Sequence, residues 1–432
     1  MAALSAEWLA AQRWFRAKQR PTAAVSMLDH ASLGPVELRI VEVAYTDGGP
    51  SDQYFVPTLG GRDPGDDEGA WTAIVKAMDG EVELHGQHGT FVCSRTDALA
   101  ALLPSDTRSL DERRLRVEQS NTSIVLGDRL ILKLYRLLES GINPDLEVAA
   151  FLTDVGFADT PAVAGAMTYL PDGGQPAAAA MAQAFVPTTG DAWATMRAAL
   201  VHDPDAAVQL AARIGELTAR LHAALASRPQ DPAFPAFPAR AATVAETGAW
   251  RASAESQLAQ AISAVDEEAH ARLVRAAPAV SARFADTFGS ATGEARVSRV
   301  HGDYHLGQLL ARTDGGFSVI DFEGEPARPM SERRRPGSPL RDMAGMLRSL
   351  DYAARTVERT ARVDAGSWLA AARGAFLGAY GGIGDDEIGL LEAFELEKAC
   401  YEVRYEASNR PDRLWLPLAA VERLIIGQGR AS

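Results

Sequence analysis

The stretch VHGDYHLGQLL, residues 300–310, sets two histidines, an aspartate and a glutamine among apolar residues. It continues through AR and TDGG into FSVID, ending at Asp321. Asp-Gly between two strand-like runs signals a hairpin. With Asp314-Gly315 as a two-residue turn, Gln308 lies opposite Asp321 on one face of the ribbon, and Asp303 stands on the loop that enters it. A loop carboxylate, an amide oxygen and a strand-end carboxylate form an oxygen-rich set, better suited to Mg²⁺ than to zinc. Two other readings compete: a zinc site using His301, His305 and Asp321, and a polar loop capped by its own histidines.

The composition narrows the chemistry. A chain of 432 residues with 47% hydrophobic and 23% charged residues has the make-up of a globular protein with ample core, and room for two or three domains. A formal net charge of −14 argues against a nucleic-acid backbone as the main partner. Only two cysteines occur, Cys93 and Cys400, so neither a disulfide framework nor a cysteine metal site is expected, and a reducing cytoplasm is the default. No signal-peptide pattern opens the chain, and no stretch has the apolar length of a membrane span.

The elements that would position the loop fall into three stretches. VELRIVEVAY (36–45) and WTAIVKAM (71–78) are rich in β-branched residues and read as strands, separated by the loop GGRDPGDDEG. In LRVEQSNTSIVLGDRLILKLYR (115–136) two β-rich runs flank a turn at Gly127–Arg129. INPDLEVAAFL (142–152) reads as a helix with Asn143 as cap and Pro144 in its first turn. AAMAQAFVP (179–187) reads as a last strand. Beyond it the pattern is helical: Val208, Ala211, Ile214, Leu217, Leu221 and Ala224 form one apolar stripe with His222 beside it, expected as a satisfied core histidine. RDMAGMLRSLDYAA and the whole stretch from Gly366 to Asn409 also read as helix.

An aspartate, an amide side chain five residues on, and a hairpin ending in Asp-Phe reproduce the spacing of phosphoryl transfer in the protein-kinase group. That group also needs a strand lysine paired with a helix glutamate. Lys133 in ILKLYR and Glu147 in DLEVAAFL stand in the right order. Taken with INPDLE, HGDYHLGQ, DFEGEPARP, ERRRPGSPLRD and KACYEVRYEASNRPD, the chain from about Gln119 onward resembles bacterial maltokinases, and QRWF (12–15) is similar to the start of that family. HGDxxxxQ is shared with many small-molecule kinases, whereas DFEGEPARP and YEVRYEASNRPD are more particular to maltokinases.

The resemblance implies an α+β, bilobal protein-kinase-like (aminoglycoside phosphotransferase-like) fold with an extra N-terminal cap subdomain. Its parts would be a cap at 1–110, an intermediate segment at 111–187 completing the ATP-binding lobe, and a helical lobe at 188–432. The implied reaction is ATP plus maltose giving maltose 1-phosphate, on a route to glycogen-like α-glucan, in the cytoplasm. Association with a trehalose synthase is a further implication. Glucosamine, another hexose or an aminoglycoside are alternative acceptors, and a nucleotide-binding pseudokinase is the non-enzymatic alternative.

Within that frame Asp303 accepts the proton of the acceptor hydroxyl, and Gln308 and Asp321 hold Mg²⁺ against the phosphates of ATP. Lys133 contacts the α- and β-phosphates, with Glu147 fixing its rotamer. Ser120, Asn121, Thr122 and Ser123 occupy the place of a glycine-rich phosphate turn and offer hydroxyl, amide and backbone donors. The backbone of Gln183, Phe185 and Val186 is the expected adenine contact. For the sugar, Tyr401 with Tyr405 and Glu402 with Glu406 form i,i+4 pairs that suit stacking and hydroxyl recognition, alongside His305. Arg333 to Arg335 read either as solvated surface or as an anion contact.

Overall fold

The computed structural model describes residues 4–104, 110–115, 121–232, 234–325, 328–361 and 364–426. Ser120, expected at the phosphate turn, lies outside them. The chain divides into two compact units, Met1–Pro187 and Thr188–Ser432. Among the described residues no helix is long and apolar enough to cross a membrane, and Cys93 and Cys400 are both free and buried.

Among the described residues the first unit holds two antiparallel sheets. Strands Thr22–Leu33, Val36–Tyr45, Asp52–Phe55 and Thr58–Leu59 form one. Its aromatic core gathers Trp14 and Phe15 of the QRWF motif against Tyr45 and Tyr54. The other sheet has seven strands, running in space from Glu83–His85 through Gly89–Arg95, Val163–Pro171, Ala177–Ala184, Leu130–Leu134 and Thr122–Leu126 to Glu112–Arg114. The division expected at 110/111 therefore passes through a single sheet, and one core joins Phe55, Trp71 and Phe91 to Ile124, Leu132 and Met167.

WTAIVKAM is a helix, Ala70–Asp79, not a strand. Trp71, Ile74, Val75 and Met78 recur at helical spacing and are all buried, so the chance to bury one whole face outweighs the β-propensity of its residues. The helix Pro144–Asp154 follows the expected cap: the Asn143 side chain accepts from the N–H groups of Asp145 and Leu146, and Pro144 occupies the first turn.

In the second unit, strands Thr188–Asp191, Leu309–Arg312 and Phe317–Val319 make a small sheet, with helices filling most of the rest. The helix Pro204–Leu225 carries the apolar stripe read from the sequence. The helical span expected from Gly366 to Asn409 is made of two helices, Gly366–Tyr380 and Asp385–Asn409. Gly381 and Gly382 adopt φ of 113° and 75°, which end the first in the left-handed region.

Helices Pro204–Leu225 and Gly366–Tyr380 cross at Gly215, where a Cβ would collide with the carbonyl oxygen of Phe376. The obstacle is backbone and cannot rotate away. Gly215→Ala is therefore expected to cost about 1–3 kcal/mol through overpacking, against the small gain that alanine normally brings to a helix. Equilibrium urea unfolding measures it, and an unchanged or raised midpoint would contradict this crossing.

Candidate active site

Asp303 owes its position to a buried aspartate that the sequence reading did not single out. Asp342, in the first turn of the helix Pro339–Ala361, accepts the N–H of His301 through Oδ2 at 2.8 Å and that of Gly302 through Oδ1 at 2.9 Å. His222 Nε2 stands 3.2 Å from Oδ2, and its Nδ1 meets the Tyr380 hydroxyl at 2.9 Å. Burial opposes the Asp342 charge, but His222, His301 and the Gly302 N–H together hold its pKa below the ordinary carboxylate value. His222 is thus the satisfied core histidine that was expected. Gly302 has φ 88°, with Gly324 Cα only 3.3 Å from where a Cβ would sit, so glycine suits this turn on both counts. His301 fixes the other side of the loop, with Nε2 at 3.0 Å from the Ile320 carbonyl.

Held in this way, Asp303 lines a cleft of about 710 Å³ with Trp250, Arg328, Phe394 and Tyr401. Lys398 donates to Asp303 Oδ1 at 3.1 Å and to Glu325 Oε1 at 2.9 Å. Burial disfavours the ammonium, yet the two carboxylates outweigh it and hold the Lys398 pKa well above the usual lysine value. For Glu325 burial again opposes charge, but Lys398 and Arg328 bring its carboxyl down to about 2. On the cleft wall the Ser253 hydroxyl donates to Glu397 Oε1 at 2.7 Å, and Arg341 Nη1 lies 3.0 Å from Oε2. The wall is an array of paired charges, a surface suited to a polar acceptor.

The hairpin register differs from expectation by one residue. Leu309 pairs with Val319 and Ala311 with Phe317. Arg312 and Gly316 close a three-residue turn in which Gly315 takes φ 86°. Gln308 therefore faces Ile320, whose N–H donates to its carbonyl at 3.0 Å. Its side chain still reaches Asp321, with Nε2 at 3.0 Å from Oδ2. Asp321 sits at φ 68°, a left-handed conformation that side-chain-bearing residues seldom adopt and that clusters at functional sites. An amide and a carboxylate side by side would fit Mg²⁺, which keeps several waters, as one neutral and one charged oxygen ligand. The Gln308 amide must turn its oxygen toward the ion to take that role.

The first unit has its own polar cluster. Lys133 Nζ donates to Asp145 Oδ2 at 2.8 Å, and the Tyr135 hydroxyl donates to the same oxygen at 2.8 Å. Asp145 comes from the first turn of the helix Pro144–Asp154, and Glu147, expected to fix the Lys133 rotamer, is buried two residues on in the same turn. Of the residues expected at the phosphate turn, Thr122 and Ser123 are buried strand residues, and Thr122 Oγ1 accepts from the fully buried Arg136 guanidinium, Nε at 2.8 Å. Asn121 immediately precedes the strand. Gln183 lies in the strand opposite Val163 and Ile131. The Phe185 N–H donates to the Arg129 carbonyl at 2.8 Å, so it is already engaged, and Val186 follows it.

Residues 111–380 match the model described as the phosphotransferase enzyme family. The chain belongs to that family. Residues 8–92 match the maltokinase N-terminal cap domain. A glucosamine kinase of Streptacidiphilus jiangxiensis is 34% identical over 284 residues, covering 62% of this chain and 61% of that enzyme, so the match spans less than two thirds of the relative. A glucosamine kinase of Mycolicibacterium smegmatis is 29% identical over 331 residues, 73% of this chain and 79% of the relative. A solved glucosamine kinase in complex with glucosamine, ADP and inorganic phosphate is 26% identical, with a TM-score of 0.73 over 98% of this chain and 100% of that one. The fold is the kinase-like α+β fold of the phosphotransferase family with an N-terminal cap.

Of the sugar-site residues expected in this phosphotransferase, Tyr401 lines the cleft, with Lys398 Nζ 4.6 Å from its ring centroid. Tyr405 stacks on Tyr401 at 6.3 Å and is 42% exposed. Glu402 and Glu406 are corrected to structural roles. Glu402 accepts from Arg348 Nη2 at 2.7 Å, and Glu406 from Arg410 Nη2 at 2.8 Å. His305 caps the short helix Leu306–Gln308 through Nδ1, which accepts the Gly307 N–H at 3.0 Å. This leaves Nε2–H facing Asp303 Oδ2 at 4.0 Å. Burial lowers the His305 pKa, Asp303 counters it and Lys398 adds to it. Arg333 and Arg335 line the cleft, and Arg333 Nη1 reaches the Glu323 carbonyl at 3.3 Å.

Asp342→Asn replaces a carboxylate that receives three donors with an amide that must turn its NH₂ toward one of them. The expected loss at pH 7 is about 3 kcal/mol, the scale of breaking a buried pair. The Asp342 pKa is depressed in the folded state, so its stabilisation is present above the unfolded value near 4 and lost as pH falls through the folded one. Urea unfolding across pH 3–7 should show the gap between wild type and variant closing only at the acid end; a pH-independent gap would mean that the charge contributes nothing.

Proposed function

We propose that the chain transfers the γ-phosphoryl group of ATP to a hydroxyl of a sugar, with glucosamine as the foremost acceptor and maltose as the second. The observation that carries the reading is Asp303, held by Asp342 and Lys398 on the wall of a cleft large enough for either sugar. A sugar hydroxyl is a weak nucleophile. A carboxylate within hydrogen-bond reach orients it and takes its proton as the hydroxyl oxygen bonds to the γ-phosphorus and the bond to the ADP oxygen breaks. Lys133, anchored by Asp145, supplies positive charge for the nucleotide phosphates. Gln308 and Asp321 would hold Mg²⁺, which when bound neutralises phosphate charge.

The choice of glucosamine rests on the relatives bearing that name and on the reach of the structural likeness. A match over 98% of this chain and all of the solved glucosamine kinase leaves little room for the cap to be peculiar to maltose kinases. Maltose, with maltose 1-phosphate as product, keeps its support from the cap-domain match and from DFEGEPARP and YEVRYEASNRPD. A polycationic aminoglycoside is disfavoured by charge. Among the described lining residues the five carboxylates of Glu246, Asp303, Glu325, Glu332 and Glu397 face five Arg or Lys side chains, so the wall has no acidic surplus.

ADP release from ATP and Mg²⁺ should be followed with glucosamine, maltose, glucose, trehalose and kanamycin in turn. The expected outcome is fastest turnover with glucosamine and a fall of roughly 10²–10⁴-fold in kcat for Asp303→Asn with ATP affinity preserved. Preference for maltose would make the second reading the right one, and silence with every sugar would remove both.

A further inference from the structure

We infer that Lys398 is a positioning residue for the transfer step, fixing one oxygen of the Asp303 carboxylate so that the other is presented to the acceptor hydroxyl. The inference rests on the sugar-kinase reading above and assigns a role to a side chain outside the Asp303, Gln308 and Asp321 constellation.

The geometry separates the two carboxylate oxygens of Asp303. Oδ1 receives the Lys398 ammonium at 3.1 Å, while Oδ2 faces His305 Nε2 only across 4.0 Å, too far for a hydrogen bond. Oδ2 is therefore the oxygen free to accept a hydroxyl proton. Without a partner on Oδ1 the carboxylate could rotate about its Cβ–Cγ bond, a broad and soft torsion, and lose this distinction.

Lys398 is itself anchored. Glu325 Oε1 takes a second N–H at 2.9 Å, and Glu325 is in turn held by Arg328 Nε at 2.7 Å. The Tyr401 ring lies beside the ammonium, its centroid 4.6 Å from Nζ. An ammonium has three N–H donors. Two are committed here, so one remains for an oxygen of the acceptor or of the transferring phosphoryl group in the cleft that Lys398 lines. Glu325 also explains why the lysine does not simply neutralise Asp303: two carboxylates share one ammonium, so Asp303 keeps hydrogen-bonding capacity for substrate.

A residue that merely braced the fold would alter stability and substrate binding, whereas this role concentrates the loss in kcat. For Lys398→Met the expectation is a fall in kcat of roughly 10²-fold, the cost of a misplaced catalytic group, with the KM for ATP unchanged within about twofold. Adding ethylammonium to Lys398→Ala should restore part of kcat in a concentration-dependent way, because a small cation can re-enter the space beside Asp303. Lys398→Arg, which keeps the charge but not the compact ammonium, should fall between wild type and methionine.

The deciding experiment is steady-state kinetics of wild type, Lys398→Met, Lys398→Arg and Lys398→Ala with and without ethylammonium, with glucosamine and maltose as acceptors. Thermal unfolding of each variant runs in parallel. A wild type that turns over neither sugar sinks the functional reading, and this inference with it. An active wild type with unchanged kcat in Lys398→Met overturns the inference alone. So does a loss that tracks the melting temperature and is untouched by ethylammonium.

Discussion

The burial of the Asp342 carboxylate is the constraint from which the second unit's site follows. An unpaired charge at such a depth costs several kcal/mol, and this one is compensated by two backbone N–H groups and an imidazole. Those compensating N–H groups belong to His301 and Gly302, the residues immediately before Asp303. Satisfying Asp342 and setting the course of the loop are thus one event: any path of the loop that moved Asp303 elsewhere would strand the buried carboxylate. The arrangement uses the start of a helix, where the macrodipole also favours an anion, as a fixed point for a segment with little regular structure of its own.

A second set of buried charges ties the helix carrying Lys398 to the helix carrying Asp342. Arg348 of Pro339–Ala361 bonds Glu402 of Asp385–Asn409 through Nε at 3.1 Å and Nη2 at 2.7 Å, and Asp351 of its own helix at 2.6 Å. Arg423, from Trp415–Ile426, reaches the same Asp351 oxygen at 2.6 Å. Burial raises the Glu402 pKa in spite of Arg348, so the network is no simple gain in stability. Its value lies in register. Glu402 is one turn beyond Lys398, and the two Arg348 donors converging on its Oε2 leave the helix little freedom to slide or rotate, which is what a 3.1 Å contact between Lys398 and Asp303 demands.

Local signals carried the parts of this structure that are themselves local. The cap at Asn143 and Pro144, the apolar stripe of Pro204–Leu225 and the strand Val36–Tyr45 each follow from residues within one or two turns. WTAIVKAM misled because eight residues admit both periods and the β-branched content favoured the wrong one; burial against a sheet decided the matter. The hairpin was visible, but its register depended on whether the turn held two or three residues, and the three-residue turn is the one that sets Gly315 at positive φ. Asp342 and Lys398 gave a weaker signal still. Phe394, Lys398 and Tyr401 share a helix face, and a lysine flanked by Leu396, Ala399 and Cys400 is a hint of burial, yet nothing in the sequence says which loop that face meets. The i,i+4 spacing of Glu402 and Glu406 was equally real and pointed into the ion-pair core instead of the cleft.

The pairing of charges along the cleft also shapes how an acceptor can be told from its analogues. Glu325 and Glu397 already have cationic or hydroxyl partners, so a hydroxyl group can insert as an additional donor or acceptor without stranding a charge. An ammonium substituent must instead share Glu325 or Glu397 with Arg328, Lys398 or Arg341, gaining attraction to the carboxylate at the expense of proximity to like charge. Which acceptor wins is therefore a difference between two large opposing electrostatic contributions. The paired charges line the front of the cleft, while the course of the Asp303 loop is set from behind by Asp342.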